Sequence, residues 1–129
     1  GAPAPPEAWI RSGGFRFREA LDAAEAVLSA ADRPTAVFAA NDEMAAAVCF
    51  TANRLGLRVP EDLSVAGFDD VALARTLWPP LTTVAQPFEA MAVEVVRLLA
   101  RPEPELGATK RILPHELVVR RSTGPAPRA

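Results

Sequence analysis

The 129-residue sequence contains one cysteine, Cys49, and one histidine, His115, and these shortages already exclude several classes of protein. A single cysteine cannot form an internal disulfide, which fits a reducing compartment and leads us to expect a cytoplasmic protein. One cysteine and one histidine are too few for the usual zinc sites, so we predict no metal. No run approaches the ~18 apolar residues of a membrane-spanning helix, so no membrane partner is predicted.

Charge and catalytic motifs are equally sparse. The 14 basic residues are scattered and the net charge is −2, so the chain lacks the basic stripe that binds nucleic acid. The turn Ala66-Gly67-Phe68-Asp69 has no serine for a nucleophile elbow, and no glycine-rich phosphate loop is present. His115 lies in a β-prone segment, where a surface position is favoured over a catalytic base. We therefore predict no enzyme, no catalytic residue and no cofactor.

Half of the residues are hydrophobic, which is enough for the core of one domain. Apolar residues recur at helical spacing over residues 20–31, and a short apolar strand is predicted at 35–40. A helix follows from Asn41 or Asp42 to Leu55, with Gly56 at the left-handed position after its end. The next strand begins at Leu63 and stops at Gly67. This strand–helix alternation predicts an α/β fold, a parallel sheet flanked by helices on both faces.

The ends of the chain are less regular. Residues 1–8 are predicted to be a flexible leader, and Trp9-Ile10 a short strand. A second β-prone piece at 81–84 follows Pro79-Pro80. A helix with one wide apolar face is predicted at 88–101, then a return loop and C-terminal strands at 102–123, and a disordered tail at 124–129.

Polar side chains follow two adjacent predicted strands, Asn41 after the first and Asp69 after the second. In an open parallel sheet such groups lie in the ligand crevice at the carboxyl edge. A carboxylate, two amides (Asn41 and Gln86) and an aromatic face (Phe15) suit a polyol or another small polar metabolite. The structural alternatives are core packing for Phe15, a helix cap for Asn41 and an exposed loop amide for Gln86. The pair Asp69-Asp70 also permits a magnesium site, or a cap by one or both aspartates, Asp70 above all, on a short helix at 71–76.

Four strings in a fixed order resemble the LacI/GalR (lactose-repressor) family of bacterial transcription regulators: PTAVFAANDEMA (34–45), GLRVPEDLSVAGFDD (56–70), PPLTTVAQP (79–87) and LPHELVVRRST (113–123). The resemblance implies one lobe of a type I periplasmic-binding-protein-like effector domain, with a sugar or nucleobase bound between two lobes. It implies that Phe15 stacks on the effector, that Asn41 and Asp69 contact it, and that Gln86 lies nearby. It also implies a homodimer formed through residues 72–78 and the helix of Ala46, with Leu77 and Trp78 in the interface.

The sequence departs from the family pattern in places. Gly13-Gly14-Phe15 stands where the family often has Gly-Asp-Phe, and Glu19-Ala20 where Ser-Gly is common. The N-terminal DNA-binding headpiece and nearly all of the other lobe have no counterpart here, so DNA contact is expected only through a headpiece outside these residues. The helix at 88–101, which the family places on the other lobe, is predicted to fold back on this sheet or to pair with another chain. A lobe of a sugar-transport protein and a magnesium-dependent enzyme remain the alternative hypotheses.

Overall fold

The computed structural model describes residues 4–100 and 110–127, and all structural statements refer to them. The elements, in chain order, are a 3₁₀ turn Glu7–Trp9, α1 Phe17–Leu28, β1 Ala36–Phe38, α2 Asp42–Arg54, β2 Ser64–Asp69, α3 Ala72–Thr76, β3 Thr82–Ala85, α4 Phe88–Ala100 and β4 Glu116–Val118. Within these residues no helix is long and apolar enough to cross a membrane.

The four strands form one sheet in the order β1-β2-β3-β4. β1, β2 and β3 are parallel, and β4 pairs antiparallel with β3. Helices flank this sheet, with α2 packed against the face of β2 that carries the buried residues Val65 and Gly67. The predicted α/β fold with a parallel sheet is thus confirmed, and the carboxyl ends of three strands meet at one edge.

Small side chains allow the helices to approach the sheet closely. α1 buries Ala20, Ala24, Val27 and Leu28, and Ala45 and Ala52 of α2 are fully buried. The central cluster comprises Ala24, Leu28, Ala39, Ala45, Val48, Cys49, Ala52, Leu63, Val65, Ala74 and Leu81. Gly56 has a φ of +73°, as expected for the residue that ends α2.

The C-terminal segment ties the strands together at the opposite edge. The Ser122 hydroxyl donates to the Val65 carbonyl at 2.6 Å and accepts from the Thr82 N–H at 2.8 Å. The Ser64 hydroxyl donates to the Gly124 carbonyl at 3.3 Å and accepts from the Gly124 N–H at 3.1 Å. The expectation of disorder from residue 124 is therefore wrong at Gly124 itself, while residues 128–129 lie outside the described residues.

Other local predictions change as well. Trp9-Ile10 is not a strand, because Glu7–Trp9 forms a 3₁₀ turn that includes the last two residues of the predicted leader. Residues 110–113 are irregular, and only Glu116–Val118 forms a C-terminal strand. Most of the predicted return loop, residues 102–109, lies outside the described residues.

Among residues 4–100 and 110–127, nothing covers the apolar face of α4. None of its residues is buried, and Val96 and Leu99 are 64% and 77% exposed. The expectation that this helix folds back on the sheet is wrong. Pairing with another lobe or chain stays a prediction.

Candidate effector site

The four predicted site residues form two hydrogen-bonded pairs at the carboxyl edge of the sheet, Asn41 with Phe15 and Gln86 with Asp69. Asn41 follows β1, Asp69 is the last residue of β2, and Gln86 follows β3. Phe15 precedes α1 and is joined to Asn41 by a hydrogen bond. Since adjacent parallel strands end at the same edge, the prediction that Asn41 and Asp69 flank one crevice agrees with this topology.

Asn41 connects the start of α2 with Phe15, which lies just before α1. Its Oδ1 accepts from the Met44 N–H at 2.8 Å, which caps α2, and its Nδ2 donates to the Phe15 carbonyl at 3.1 Å. The cap expected for Asn41 is therefore present. A carboxamide has two donor hydrogens and two acceptor sites, so one of each remains for a ligand.

Phe15 is 66% exposed, so it does not pack in the core. Its backbone φ of 58° places it in the left-handed region, which non-glycine residues rarely adopt. The hydrogen bond from Asn41 holds its carbonyl in this conformation. The ring is thus available to cover the apolar face of a ligand.

Asp69 and Gln86 form the second pair. The Gln86 Nε2 donates to Asp69 Oδ1 at 2.5 Å, and both residues are half-buried. Gln86 is therefore not an exposed loop amide. Asp69 Oδ2 has no hydrogen-bond partner among the described residues, which leaves it to accept from a hydroxyl or N–H group.

Backbone strain is concentrated at this edge. Within the described residues the non-glycine positions with positive φ are Phe15 at 58°, Asp69 at 110° and Asp70 at 55°. Such conformations cost about 1–3 kcal/mol each and persist where the surrounding contacts fix them, often at binding sites. Here two of the three belong to predicted ligand contacts.

Asp42 is the important residue that sequence reasoning missed. It is 1% exposed, its Oδ1 accepts from the Thr83 hydroxyl at 2.6 Å, and its Oδ2 accepts from the Val71 N–H at 2.8 Å. One carboxylate thereby joins α2 to β3 and to the strained turn after Asp69. The doublet Asn41-Asp42 offered a signal, because only one of two adjacent polar residues is needed to cap a helix.

Gly67 makes room for this carboxylate. A Cβ at position 67 would lie 2.5 Å from Asp42 Oδ1 and 2.8 Å from Leu81 Cδ2. The sequence suggested only that glycine ends the strand, whereas Gly67 lies inside β2. Its role is close approach between the sheet and the start of α2.

Asp70 does not cap α3, contrary to the sequence prediction. Its carboxylate lies 2.6 Å from Arg120 and 3.1 Å from Arg75, and the cap residue Val71 makes no side-chain bond. Burial by itself raises the pKa of Asp70, but the adjacent guanidinium groups of Arg120 and Arg75 outweigh it and hold the pKa below the usual value. Asp70 therefore anchors the turn after β2 to Arg120, which follows β4, and each of its carboxylate oxygens faces an arginine.

Comparison with known proteins identifies the domain. A family model described as a periplasmic binding protein-like domain matches residues 3–123. The chain is 38% identical over 116 residues to the HTH-type transcriptional repressor PurR of Photobacterium profundum, covering 88% of this chain and 35% of that repressor. It superposes on the transcriptional regulator CelR–cellobiose complex with a TM-score of 0.80 and 36% identity, covering 92% of this chain and 37% of that one. It matches the lac repressor dimer bound to operator and the anti-inducer ONPF with a TM-score of 0.78 and 33% identity, covering 86% and 39%.

The chain belongs to the LacI/GalR family. It spans about a third of the length of the curated relatives it matches. These relatives are transcriptional repressors rather than enzymes, and they favour the regulator hypothesis over the lobe of a transport protein.

The two departures from the LacI/GalR pattern prove to be linked in space. Gly14 has a φ of +61°, and a Cβ built there would lie 1.5 Å from Glu19 Oε2. The carboxylate of Glu19 thus occupies the position that a side chain at residue 14 would take. Glu19 lies in the first turn of α1, so an acidic side chain is present beside Gly14 even though Gly14 itself carries none.

The residues that the LacI/GalR resemblance implies for dimerisation also lie together. Ala46, Leu77 and Trp78 line a groove of about 600 Å³ between α2 and α3. Ala46 is buried, whereas Phe50 is 49% exposed and Trp78 is 82% exposed. We call this surface, with Phe17 and Val71, the α2–α3 patch.

Proposed function

We propose that this chain is one lobe of the effector-binding domain of a LacI/GalR-type transcriptional regulator, and that it binds a sugar or another small polar metabolite. The observation that carries the proposal is the pair of hydrogen bonds at the carboxyl edge, one between Asn41 and Phe15, whose ring is exposed, and one between Gln86 and Asp69. A cellobiose complex of the regulator CelR supports a sugar-like effector for this chain.

The free hydrogen-bonding groups define the ligand chemistry. Asp69 Oδ2 accepts from one or two hydroxyls, and such charge-assisted bonds contribute about 1.5–3 kcal/mol each. Asn41 adds one donor and one acceptor, which suits neighbouring hydroxyls of a sugar ring or the edge of a nucleobase. Phe15 covers the apolar face of that ring. None of these groups breaks a covalent bond, so the proposal is recognition without catalysis.

A single lobe contacts its ligand from one side only. The opposite wall of the crevice, which closes on the effector in the family, is not formed by the described residues. We therefore expect millimolar affinity for the isolated chain, equivalent to about −4 kcal/mol. Burial by a second lobe would exclude water from the Asp69 carboxylate and strengthen its hydrogen bonds.

Nuclear magnetic resonance titration of the 129-residue chain tests the site. Cellobiose, ribose, cytidine and adenine serve as probes, and the amide shifts of Phe15, Asn41, Asp69 and Gln86 are followed. We expect one class of probe to move these signals with millimolar affinity. Shifts confined to another surface would contradict the site, and micromolar binding by the lone chain would contradict the half-site argument.

A pair of isosteric variants separates recognition from nonspecific effects. Asp69→Asn removes the charged acceptor and is expected to lower the affinity for the probe by about tenfold or more. Asp32→Asn removes an exposed carboxylate outside this edge and is expected to leave the affinity unchanged. Equal affinities for the two variants would exclude Asp69 as a ligand contact.

The α2–α3 patch supports the further proposal that the regulator is a homodimer. Trp78, Phe50 and Val71 expose apolar surface on neighbouring elements, and such contiguous patches mark interaction sites. The match to a lac repressor dimer agrees with this assignment. DNA binding is proposed to reside in a headpiece outside these residues.

Sedimentation equilibrium tests the dimer. Trp78→Asp is expected to weaken self-association by at least about tenfold, since it places a charge in the centre of the patch. Ile112→Asp is the matched control, because Ile112 is similarly exposed, 80% against 82%, on another surface. If only the control loses self-association, or both variants lose it equally, the interface does not lie at the α2–α3 patch.

The uncovered apolar face of α4 fits the same arrangement. We propose that α4 packs on the partner lobe of the effector domain, so that the polypeptide crosses between lobes after Gln86. This proposal predicts that removal of residues 88–101 lowers the free energy of unfolding of this lobe by less than about 1 kcal/mol. A larger loss in urea denaturation would indicate that α4 stabilises the sheet itself.

A further inference from the structure

The start of α1 depends on another helix for its cap. α1 begins at Phe17, and the residue before it, Arg16, makes no side-chain hydrogen bond to the first turn. An arginine side chain carries only donors, so it cannot accept from the N–H groups that the first turn of a helix leaves without partners. An acceptor for this turn therefore has to come from elsewhere in the fold.

Glu43, in the first turn of α2, supplies that acceptor. Its Oε1 accepts from the Phe17 N–H at 3.0 Å, across 26 positions of the sequence. One carboxylate thus lies at the N-terminal ends of two helices, where the helix dipoles favour a negative charge. Glu43 caps α1 from the neighbouring helix.

α2 holds the three residues that lead into α1 at both ends. The Asn41 Nδ2 donates to the Phe15 carbonyl at 3.1 Å, and Glu43 accepts from the Phe17 N–H two residues later. The Phe17 ring also packs edge-to-face against Phe50 of α2, with the ring centres 6.0 Å apart. The segment from Phe15 to Phe17 therefore takes its position from α2.

This attachment matters for Phe15 because its backbone adopts an unfavourable conformation. Its φ of 58° is one that non-glycine residues rarely adopt, and such conformations persist where surrounding contacts fix them. The Phe15 side chain is 66% exposed, so packing of the ring provides little of this restraint. A turn bond from the Arg16 N–H to the Gly13 carbonyl and the bonds to Asn41 and Glu43 provide it instead.

We propose that Glu43 is a positioning residue, which keeps Phe15 in its left-handed conformation by capping α1 and thereby sets the affinity for the effector. The inference rests on the proposed function for the role of the Phe15 ring. Without the cap, a fraction of the molecules leaves this conformation, and the apparent affinity falls to the fraction that keeps it. A tenfold fall in the population of left-handed Phe15 then weakens binding tenfold.

Nuclear magnetic resonance on the ligand-free 129-residue chain tests the hold on Phe15. Glu43→Ala removes the acceptor and is expected to speed amide exchange at Phe17 by about tenfold. It is also expected to weaken the strong cross-peak between the amide and α protons of Phe15 that a positive φ produces. Glu43→Gln keeps a side-chain carbonyl oxygen and is expected to retain both signals.

A control in the same helix separates positioning from helix stability. Ala26 is an exposed residue of α1, and Ala26→Gly weakens the helix through its low propensity while leaving the cap in place. Titration with cellobiose, ribose, cytidine and adenine then compares the variants. We expect the affinity of Glu43→Ala to fall in proportion to its loss of the Phe15 cross-peak, and that of Ala26→Gly and Glu43→Gln to stay close to the parent value.

The results that overturn the proposal differ from those that overturn the proposed function. Unchanged signals at Phe15 and Phe17 in Glu43→Ala, or an equal loss in Ala26→Gly, overturn the role of Glu43. A lost Phe15 cross-peak with unchanged affinity does so as well, because Glu43 is then a helix cap alone. If no probe binds the parent chain, the proposed effector site fails, and the ligand-free signals by themselves support or overturn the hold of Glu43 on Phe15.

Discussion

Replacing Asp42 by asparagine tests how the strained crevice is held. The buried carboxylate accepts from the Thr83 hydroxyl at 2.6 Å and from the Val71 N–H at 2.8 Å. Asparagine keeps one acceptor oxygen, so one of the two bonds is lost and an N–H₂ group then faces a donor. A hydrogen bond to a charged group contributes about 1.5–3 kcal/mol, and we expect Asp42→Asn to cost about 2–3 kcal/mol of unfolding free energy.

Asp42→Ala removes both acceptors and leaves the Thr83 hydroxyl and the Val71 N–H buried without partners. We expect a cost of about 3–5 kcal/mol, measured by urea denaturation at neutral pH with linear extrapolation. Both variants should also speed hydrogen exchange at Asp69 and Asp70, because the turn after β2 loses its anchor. Thr83→Val completes a double-mutant cycle with Asp42→Asn, with an expected coupling of about 1–2 kcal/mol.

The opposite result is easily recognised. If both Asp42 variants unfold within about 0.5 kcal/mol of the parent chain, the carboxylate does not hold the turn. If the cycle with Thr83→Val is additive, the short contact between these two side chains contributes no net stability. Either outcome would refute the argument that Asp42 joins α2, β3 and the start of α3.

Three other predictions concern acid stability, thiol reactivity and packing. The arginines beside Asp70 lower its folded-state pKa, so this pairing contributes stability above the unfolded pKa of about 4, and that stability is lost as the pH falls through the folded-state pKa. Asp70→Asn should cost about 1–3 kcal/mol at pH 7 and make the free energy of unfolding in urea less dependent on pH in the acid range. A pH profile identical to that of the parent chain would contradict this. Burial raises the pKa of Cys49 to about 11, so little thiolate is present near pH 8. The folded chain should therefore react with a disulfide reagent at pH 8 about 100-fold more slowly than the urea-unfolded chain. Equal rates for the folded and unfolded chains would show that the thiol is accessible. Gly67→Ala should cost about 1–3 kcal/mol by overpacking, while Gly124→Ala, whose added Cβ meets its neighbours at 3.4 Å, should stay within about 0.5 kcal/mol; similar losses for both glycines would refute the close-approach argument.

Local patterns in the sequence carry the positions of the main elements. The apolar run after Pro34 and the polar doublet Asn41-Asp42 locate β1 and the start of α2, and Gly56 marks its end. These features depend on residues within a few positions of one another, through periodicity, capping and backbone preference. For the same reason the ends of β2 were misjudged, because Gly67 serves a contact with α2 that no local pattern reveals.

The candidate site likewise has features that the sequence predicts and features that depend on contacts between distant residues. Strand ends and residue chemistry were sufficient to select Asn41, Asp69, Gln86 and Phe15, while the hydrogen bond between Gln86 and Asp69 joins residues 17 positions apart. The exposure of Phe15, the pairing of Asp70 with Arg120, and the exclusion of a side chain at Gly14 by Glu19 were not predictable. Each depends on which distant side chain fills a given volume.

By itself the sequence determined the α/β alternation, the edge at which polar groups gather, and the family resemblance, because these follow from short-range order along the chain. Only the tertiary structure decided that Asp42 is the buried link between three elements and that the apolar face of α4 is exposed within the described part of the chain. Hydrogen-bond satisfaction and exposure are properties of a packed volume, and they come into being when segments far apart in sequence meet.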